Sequence, residues 1–194
     1  MNPTPAPNTA PNTARNRRAD ARRSRASILD AAIRLLNERP DAGVGAVATA
    51  AGVTRQTVYA HFPSREQLLT AVLDRLTEQT VAAMAAADPD SGPAAEALLR
   101  LLDAAEGATR KYPALIRLTG TLPASREEDA ERHLPVAELL ERVVRRGQAS
   151  GEFDGRLPAD WLVTATIALA HAASGQPEGD RLLRTSVLRL LRAD

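Results

Sequence analysis

The 194-residue sequence contains no cysteine, which removes disulfide frameworks, thiolate metal sites and cysteine nucleophiles together. It has only three histidines, His61, His133 and His171, and their separations match no ligand spacing, so no metal site is expected. Apolar runs fall short of the roughly 18 residues a membrane span requires. The opening stretch MNPTPAPNTAPNTA lacks the apolar segment of a secretory signal. Aromatics amount to 3%, and alternating runs of Val, Ile, Thr and aromatics are missing, which argues against a sheet. Gly-rich phosphate loops, HExxH and GxSxG are absent as well, so neither catalysis nor a cofactor is expected. These absences leave a soluble, cytoplasmic, non-enzymatic protein as the expectation.

What is present is charge of one sign in one place. The net charge is +1, yet residues 1–65 hold ten arginines against four acids, a net of +6, and residues 66–194 carry a net of −5. Such a division points to an anionic partner for the first third alone. Six of those arginines crowd into RNRRADARRSR at 15–25, behind a Pro/Asn/Thr/Ala tail. Residues 1–22 read as a disordered, Arg-rich arm. The arm is either a solvated leader or a segment that tracks phosphate.

The remainder reads as helix after helix, about nine in all. A first helix starts at Ser24 or Ser27 and carries Ile28, Leu29, Ala32, Leu35 and Leu36 on one face, ending before Pro40 and Gly43. Short helices follow at about 44–50 and 54–60. Ser64-Arg65-Glu66-Gln67 opens a long helix to about Ala87 as a capping box. After the break at Asp88–Pro93, further helices are expected at about 94–110, between Pro113 and Pro123, from Pro135 to Ser150, at 158–173 and at 178–192. The fold class is thus all-α.

The functional signal lies in VGAVATAAGVTRQTVYAHF, residues 44–62. Two short helices around a tight glycine turn describe a helix-turn-helix. Ala48 is small where the helices cross. Gly52 supplies a positive φ without steric cost. Thr54 is a good N-cap for the second helix. That helix then presents Arg55, Gln56, Ala60 and His61, and Arg and Gln read guanine and adenine edges by paired hydrogen bonds.

On these residues the sequence resembles the tetracycline-repressor (TetR) family of bacterial transcription regulators. The resemblance rests on Ala48, Ala51-Gly52-Val53, Val58-Tyr59, Phe62, Ser64-Arg65-Glu66 and Leu68-Leu69, and covers about residues 24–75. A fainter echo lies in Arg146-Gly147, Gly151-Glu152-Phe153 and Leu157 to Leu162. It implies a three-helix DNA-binding domain at 23–68 and a ligand-binding and dimerisation domain at 69–194. It implies base contacts from Arg55 and Gln56, and phosphate contacts from Thr57, Tyr59, His61 and Arg65, with Thr54 at the helix start. One departure is Gly43, where the family carries Ser or Thr, followed by the uncharged Val44, Gly45 and Ala46. The acidic body would supply a pocket for a small hydrophobic or amphipathic effector, with Tyr112, Arg117, Thr119, Trp161, Thr164 and His171 as candidate handles. The implied function is a homodimeric regulator of transcription, a repressor that leaves a palindromic operator when the effector binds. The alternative is a helical DNA-binding, nucleoid or interaction protein with no ligand switch.

Overall fold

In the computed structural model, residues 10–119, 125–174 and 176–192 are described. Among them lie nine α-helices: α1 (Ala10–Glu38), α2 (Val44–Ala51), α3 (Arg55–His61), α4 (Arg65–Ala85), α5 (Ala94–Thr109), α6 (Pro113–Thr119), α7 (Arg126–Ser150), α8 (Ala159–Ala173) and α9 (Gly179–Leu191). The only β pairing among these residues is an isolated antiparallel bridge between Phe153 and Arg192. The chain divides into two compact units, Met1–Val72 and Leu73–Asp194, with the division inside α4.

In the first unit α1 is far longer than its apolar face. It runs back to Ala10, so the stretch expected as part of a disordered arm is helical from residue 10 on; residues 1–9 lie outside the described residues. The serines at 24 and 27 therefore fall inside the helix instead of starting it. Ala and Arg are both strong helix formers, and the stretch after Pro11 holds no proline until Pro40. Large apolar residues enter only in the second half, where Ile28, Leu29, Ile33 and Leu36 are buried together with Ala32. They form the unit's core with Val44, Val47, Val58, Phe62, Leu68, Leu69 and Val72. α1 stops two residues before Pro40, whose ring disfavours helical geometry in the residue ahead of it.

The second unit packs α5, α7, α8 and α9 around Leu98, Leu101, Leu140, Val143, Val144, Leu162, Val187 and Leu191. Its α4–α5 loop is fastened by two arginines. Arg100 donates to the carbonyls of Ala87, Asp88 and Ser91 at 3.1, 2.9 and 2.7 Å. Arg146 donates to those of Asp90 and Gly92 at 2.7 and 2.9 Å. Next to them the Glu152 carboxylate accepts from the Ala95 amide at 3.2 Å, capping the first turn of α5. The Arg-Gly and Gly-Glu-Phe echo of the sequence is thus a joint in the scaffold: Gly151 takes φ +78 to end α7, and Phe153 turns back into the core.

α7 departs from expectation. Pro135 does not open it; the helix begins nine residues earlier and carries the proline inside. Ser125 and Glu128 decide the start through a reciprocal capping box, with Glu128 N–H donating to Ser125 Oγ at 3.1 Å and Ser125 N–H to Glu128 Oε2 at 2.9 Å. Two orphan amides satisfied at the end outweigh one helix bond lost at the proline.

Candidate nucleic-acid interface

The turn between α2 and α3 has the geometry its residues dictate. Gly52 sits at φ +68, ψ +27, and the amides of Gly52 and Val53 donate back to Thr49 and Ala48 carbonyls at 3.1 and 3.0 Å. Thr54 then starts α3: its Oγ accepts from the Thr57 amide at 3.1 Å and shares a hydrogen bond with Thr57 Oγ at 2.8 Å. Thr54 is thereby committed to capping, and Thr57 is half-buried beside it. Val58, with no exposed surface, anchors the inner side of α3.

Opposite Val58, Arg55, Gln56, Tyr59 and Ala60 are exposed, and the spacing i, i+1, i+4, i+5 puts them on one face. Within that face Arg55 is pre-positioned. Its guanidinium lies over the Tyr59 ring, 5.6 Å from the centroid, and donates to the Tyr59 hydroxyl at 3.3 Å. His61 is half-buried, its ring tilted against Phe62 at 6.3 Å between centroids. Arg65 is exposed at the start of α4, where Ser64 Oγ accepts from the Gln67 amide at 3.1 Å, and it donates to the Pro40 carbonyl at 3.0 Å. Arg65 therefore also pins the α1–α2 turn. Gly43 precedes α2 in extended conformation with no side-chain cap, leaving the α2 start with bare backbone amides as the sequence suggests.

A family model described as "Bacterial regulatory proteins, tetR family" matches residues 28–72, the buried half of α1 through the first turns of α4. Residues 28–72 of this chain thus carry the TetR-family signature. The HTH-type transcriptional repressor LfrR of Mycolicibacterium smegmatis is 43% identical over 81 residues, 42% of this chain and 43% of the repressor. An uncharacterized HTH-type transcriptional regulator of Mycobacterium tuberculosis is 37% identical over 115 residues, 58% of this chain and 57% of that one. The match thus spans about half the length of these curated relatives. Among solved structures, LfrR in complex with proflavine superimposes with a TM-score of 0.63 at 28% identity, covering 89% of this chain and 98% of that one. FadR of Bacillus subtilis in complex with stearoyl-CoA shares the fold, with a TM-score of 0.67 at 21% identity over 87% and 97% of the two chains. TetR-family proteins are regulators rather than enzymes, in keeping with the missing catalytic motifs.

The candidate effector handles are scattered. Tyr112 is half-buried between α5 and α6. Arg117, Thr164 and His171 are exposed, and Trp161 is 52% exposed. Thr164 donates to the Asp160 carbonyl at 2.9 Å, and His171 meets His133 edge-on, 5.1 Å between ring centroids. Thr119 ends α6, and its side chain lies outside the described residues. A groove of about 450 Å³ opens elsewhere, lined by Asp74, Thr77, Glu78, Val81, Ala82 and Ala85 of α4 and by Arg132 and Pro135 of α7. Of these, Arg132 donates to the Asp74 carboxylate at 3.0 Å. None of the six handles lines it. The spacing of its α4 residues, three or four apart over three turns, is a helix face that the sequence displays; their meeting with Arg132, 58 residues on, is not.

Proposed function

We propose that this protein is a transcription regulator, a repressor, that binds a pseudo-palindromic duplex operator as a homodimer and releases it when a small molecule occupies the C-terminal unit. The observation that carries the reading is the exposed Arg55–Gln56–Tyr59 face on a capped, glycine-turned helix-turn-helix. Arg55 and Gln56 read base edges, and Thr57, Tyr59, His61 and Arg65 hold phosphates, with Thr54 setting the helix start against the backbone. Residues 23–68 serve as reader and 69–194 as effector-binding and dimerisation body, in a cytoplasmic protein.

The dimer is built from α8 and α9. α8 leaves Trp161, Thr164, Ala168, His171 and Ala172 exposed along one side, and α9 leaves Leu182 and Thr185 exposed. Pairing both helices with their symmetry mates makes a four-helix seam and sets the spacing of two half-sites. Trp161 serves that seam better than a pocket. Tyr112 is the handle placed best for an effector, and the α4–α7 groove offers the apolar wall. α4 carries both duties, its first turns in the reader and its residues 74–85 along the groove, so a ligand that prefers one setting of α4 shifts the operator equilibrium by its differential affinity. The complexes of LfrR with proflavine and of FadR with stearoyl-CoA support an effector of hydrophobic or amphipathic character.

The test is binding to a duplex from immediately upstream of the coding region, set against a random duplex. Arg55→Ala should cost about 1–3 kcal/mol on the former and relax one base position. Equal losses on both would remove Arg55 from base reading. A melting-shift screen of small hydrophobic and acidic compounds then tests release. Compounds that raise the melt and leave DNA affinity unchanged would support a binding module with no switch.

A further inference from the structure

The buried face of α1 does not end where the core ends; it continues as arginine. Leu29, Ala32 and Leu36 are 3%, 0% and 1% exposed and recur at intervals of four, three and four from Arg25. Reading the same stripe backwards from Arg25, at intervals of three, four and three, gives Arg22, Arg18 and Arg15, all exposed. A 3-4 repeat is one helix face. The acid in this stretch, Asp20, lies off the stripe and pairs with Arg23, which lies off it too. Arg17 lies off the stripe too, roughly 120° around the helix from its centre. The stripe begins at the reader itself, since the Arg25 guanidinium lies over the ring of Phe62, the C-cap of α3, at 5.0 Å.

We infer that Arg15, Arg18, Arg22 and Arg25 form a rigid helical rail that grips the phosphate backbone of the duplex flanking the half-site read by α3. Charge complementarity selects the partner: four guanidiniums in line, on a face with no acid, fit a polyanion. Ten residues of helix span about 15 Å, enough to reach phosphates on both sides of a minor groove about 6 Å wide. Being helical already, the rail loses less conformational entropy on binding than a disordered arm would. Such phosphate bonds add affinity without base preference, and they offset the thin side-chain anchoring at Gly43–Ala46. The inference rests on the reading of α3 as the DNA-facing helix.

The experiment uses the full chain and two duplex probes, the upstream fragment and a random one of equal length. Arg15→Gln/Arg18→Gln/Arg22→Gln should lower affinity for both probes by a similar factor, about tenfold or more near physiological salt. The slope of log affinity against log salt should become shallower by about 0.9 for each phosphate that the variant no longer neutralises. Arg17→Gln, off the stripe, should leave affinity within about twofold. Circular dichroism should show undiminished helix in the triple variant, since Gln is a good helix former. An unchanged salt slope in the triple variant overturns the rail, as does a loss from Arg17→Gln equal to that from Arg18→Gln alone. Tight binding of the wild type to anionic phospholipid vesicles, lost in the triple variant while DNA affinity stands, also overturns it. Failure of the wild type to bind either duplex would instead sink the reading of α3, which Arg55→Ala tests independently.

Discussion

Gly147 and Phe153 occupy one another's space: a Cβ on Gly147 would stand 2.1 Å from Cδ2 of the Phe153 ring and 2.5 Å from Cε2. The phenyl ring packs closely against α7 at Gly147, just after Gly151 has turned the chain, and it is 3% exposed. Gly147→Ala should therefore destabilise the C-terminal unit by about 1–3 kcal/mol, the usual cost of overpacking a closed core. Urea unfolding measures it. Combining the change with Phe153→Leu should recover part of the loss, a coupling expected only if the two atoms compete for one volume.

The α3 cap gives a second, local prediction. Thr54→Ala removes the acceptor for the Thr57 amide and should cost about 1 kcal/mol. Thr54→Ser keeps the oxygen and should retain most of it. Thermal melts of the two variants decide the matter, and indistinguishable melts would count against the cap.

Oligomeric state follows from exposure on α8. Ala168 is exposed, so Ala168→Glu should hardly touch the stability of one protomer, yet it should yield monomers by sedimentation and abolish operator binding. Leu169, its neighbour, packs against the unit's own core, and Leu169→Glu should instead unfold the unit. A wild type that sediments as a monomer at micromolar concentration would remove the dimer.

Two glutamates should tilt the pH profile in opposite directions. Hydrogen bonds from the Ala94 and Ala95 amides hold the Glu152 carboxyl below the usual range. A depressed folded value means stability present above the ordinary glutamate titration and lost as pH falls through the lowered one. Glu106 is pushed up, first by burial and then by the carboxyl of Asp180 across from it on α9. Its contribution is present below the ordinary titration and lost as pH rises through the raised value. Urea midpoints taken from about pH 3 to pH 7 should show a shallower acid loss in Glu152→Gln and a smaller decline above the glutamate range in Glu106→Gln.

The helix-turn-helix of the first unit is legible in the sequence because its determinants are local. Gly52, Thr54 and the spacing of Arg55, Gln56 and Tyr59 act within one or two turns, and nothing distant overrides them. Arg65 is only half legible: its place at the α4 start is local, its bond to the Pro40 carbonyl is 25 residues away. The start of α1 is misread when serine's capping preference is weighed above the helix propensity of the Ala/Arg stretch before it. At α7 two start signals compete, Pro135 and the Ser125–Glu128 box, and residue types alone do not say which wins. Effector handles selected for polarity on apolar helices are placed apart by packing, since exposure at Trp161 or Thr164 depends on which side of α8 meets α7 and α9.

Pro135 leaves a gap in the hydrogen-bond ladder of a continuous α7. Its missing amide removes the donor that the carbonyl of Glu131 would receive four residues on, so the ladder is thinnest between Arg132, which reaches Asp74 across the groove, and Leu140, Val143 and Val144, which are sunk in the core. Bending there costs fewer bonds than bending elsewhere along α7. The stretch ahead of Pro135 is therefore joined to the rest of α7 by one bond fewer, and its hold on α4 passes through the Arg132–Asp74 pair.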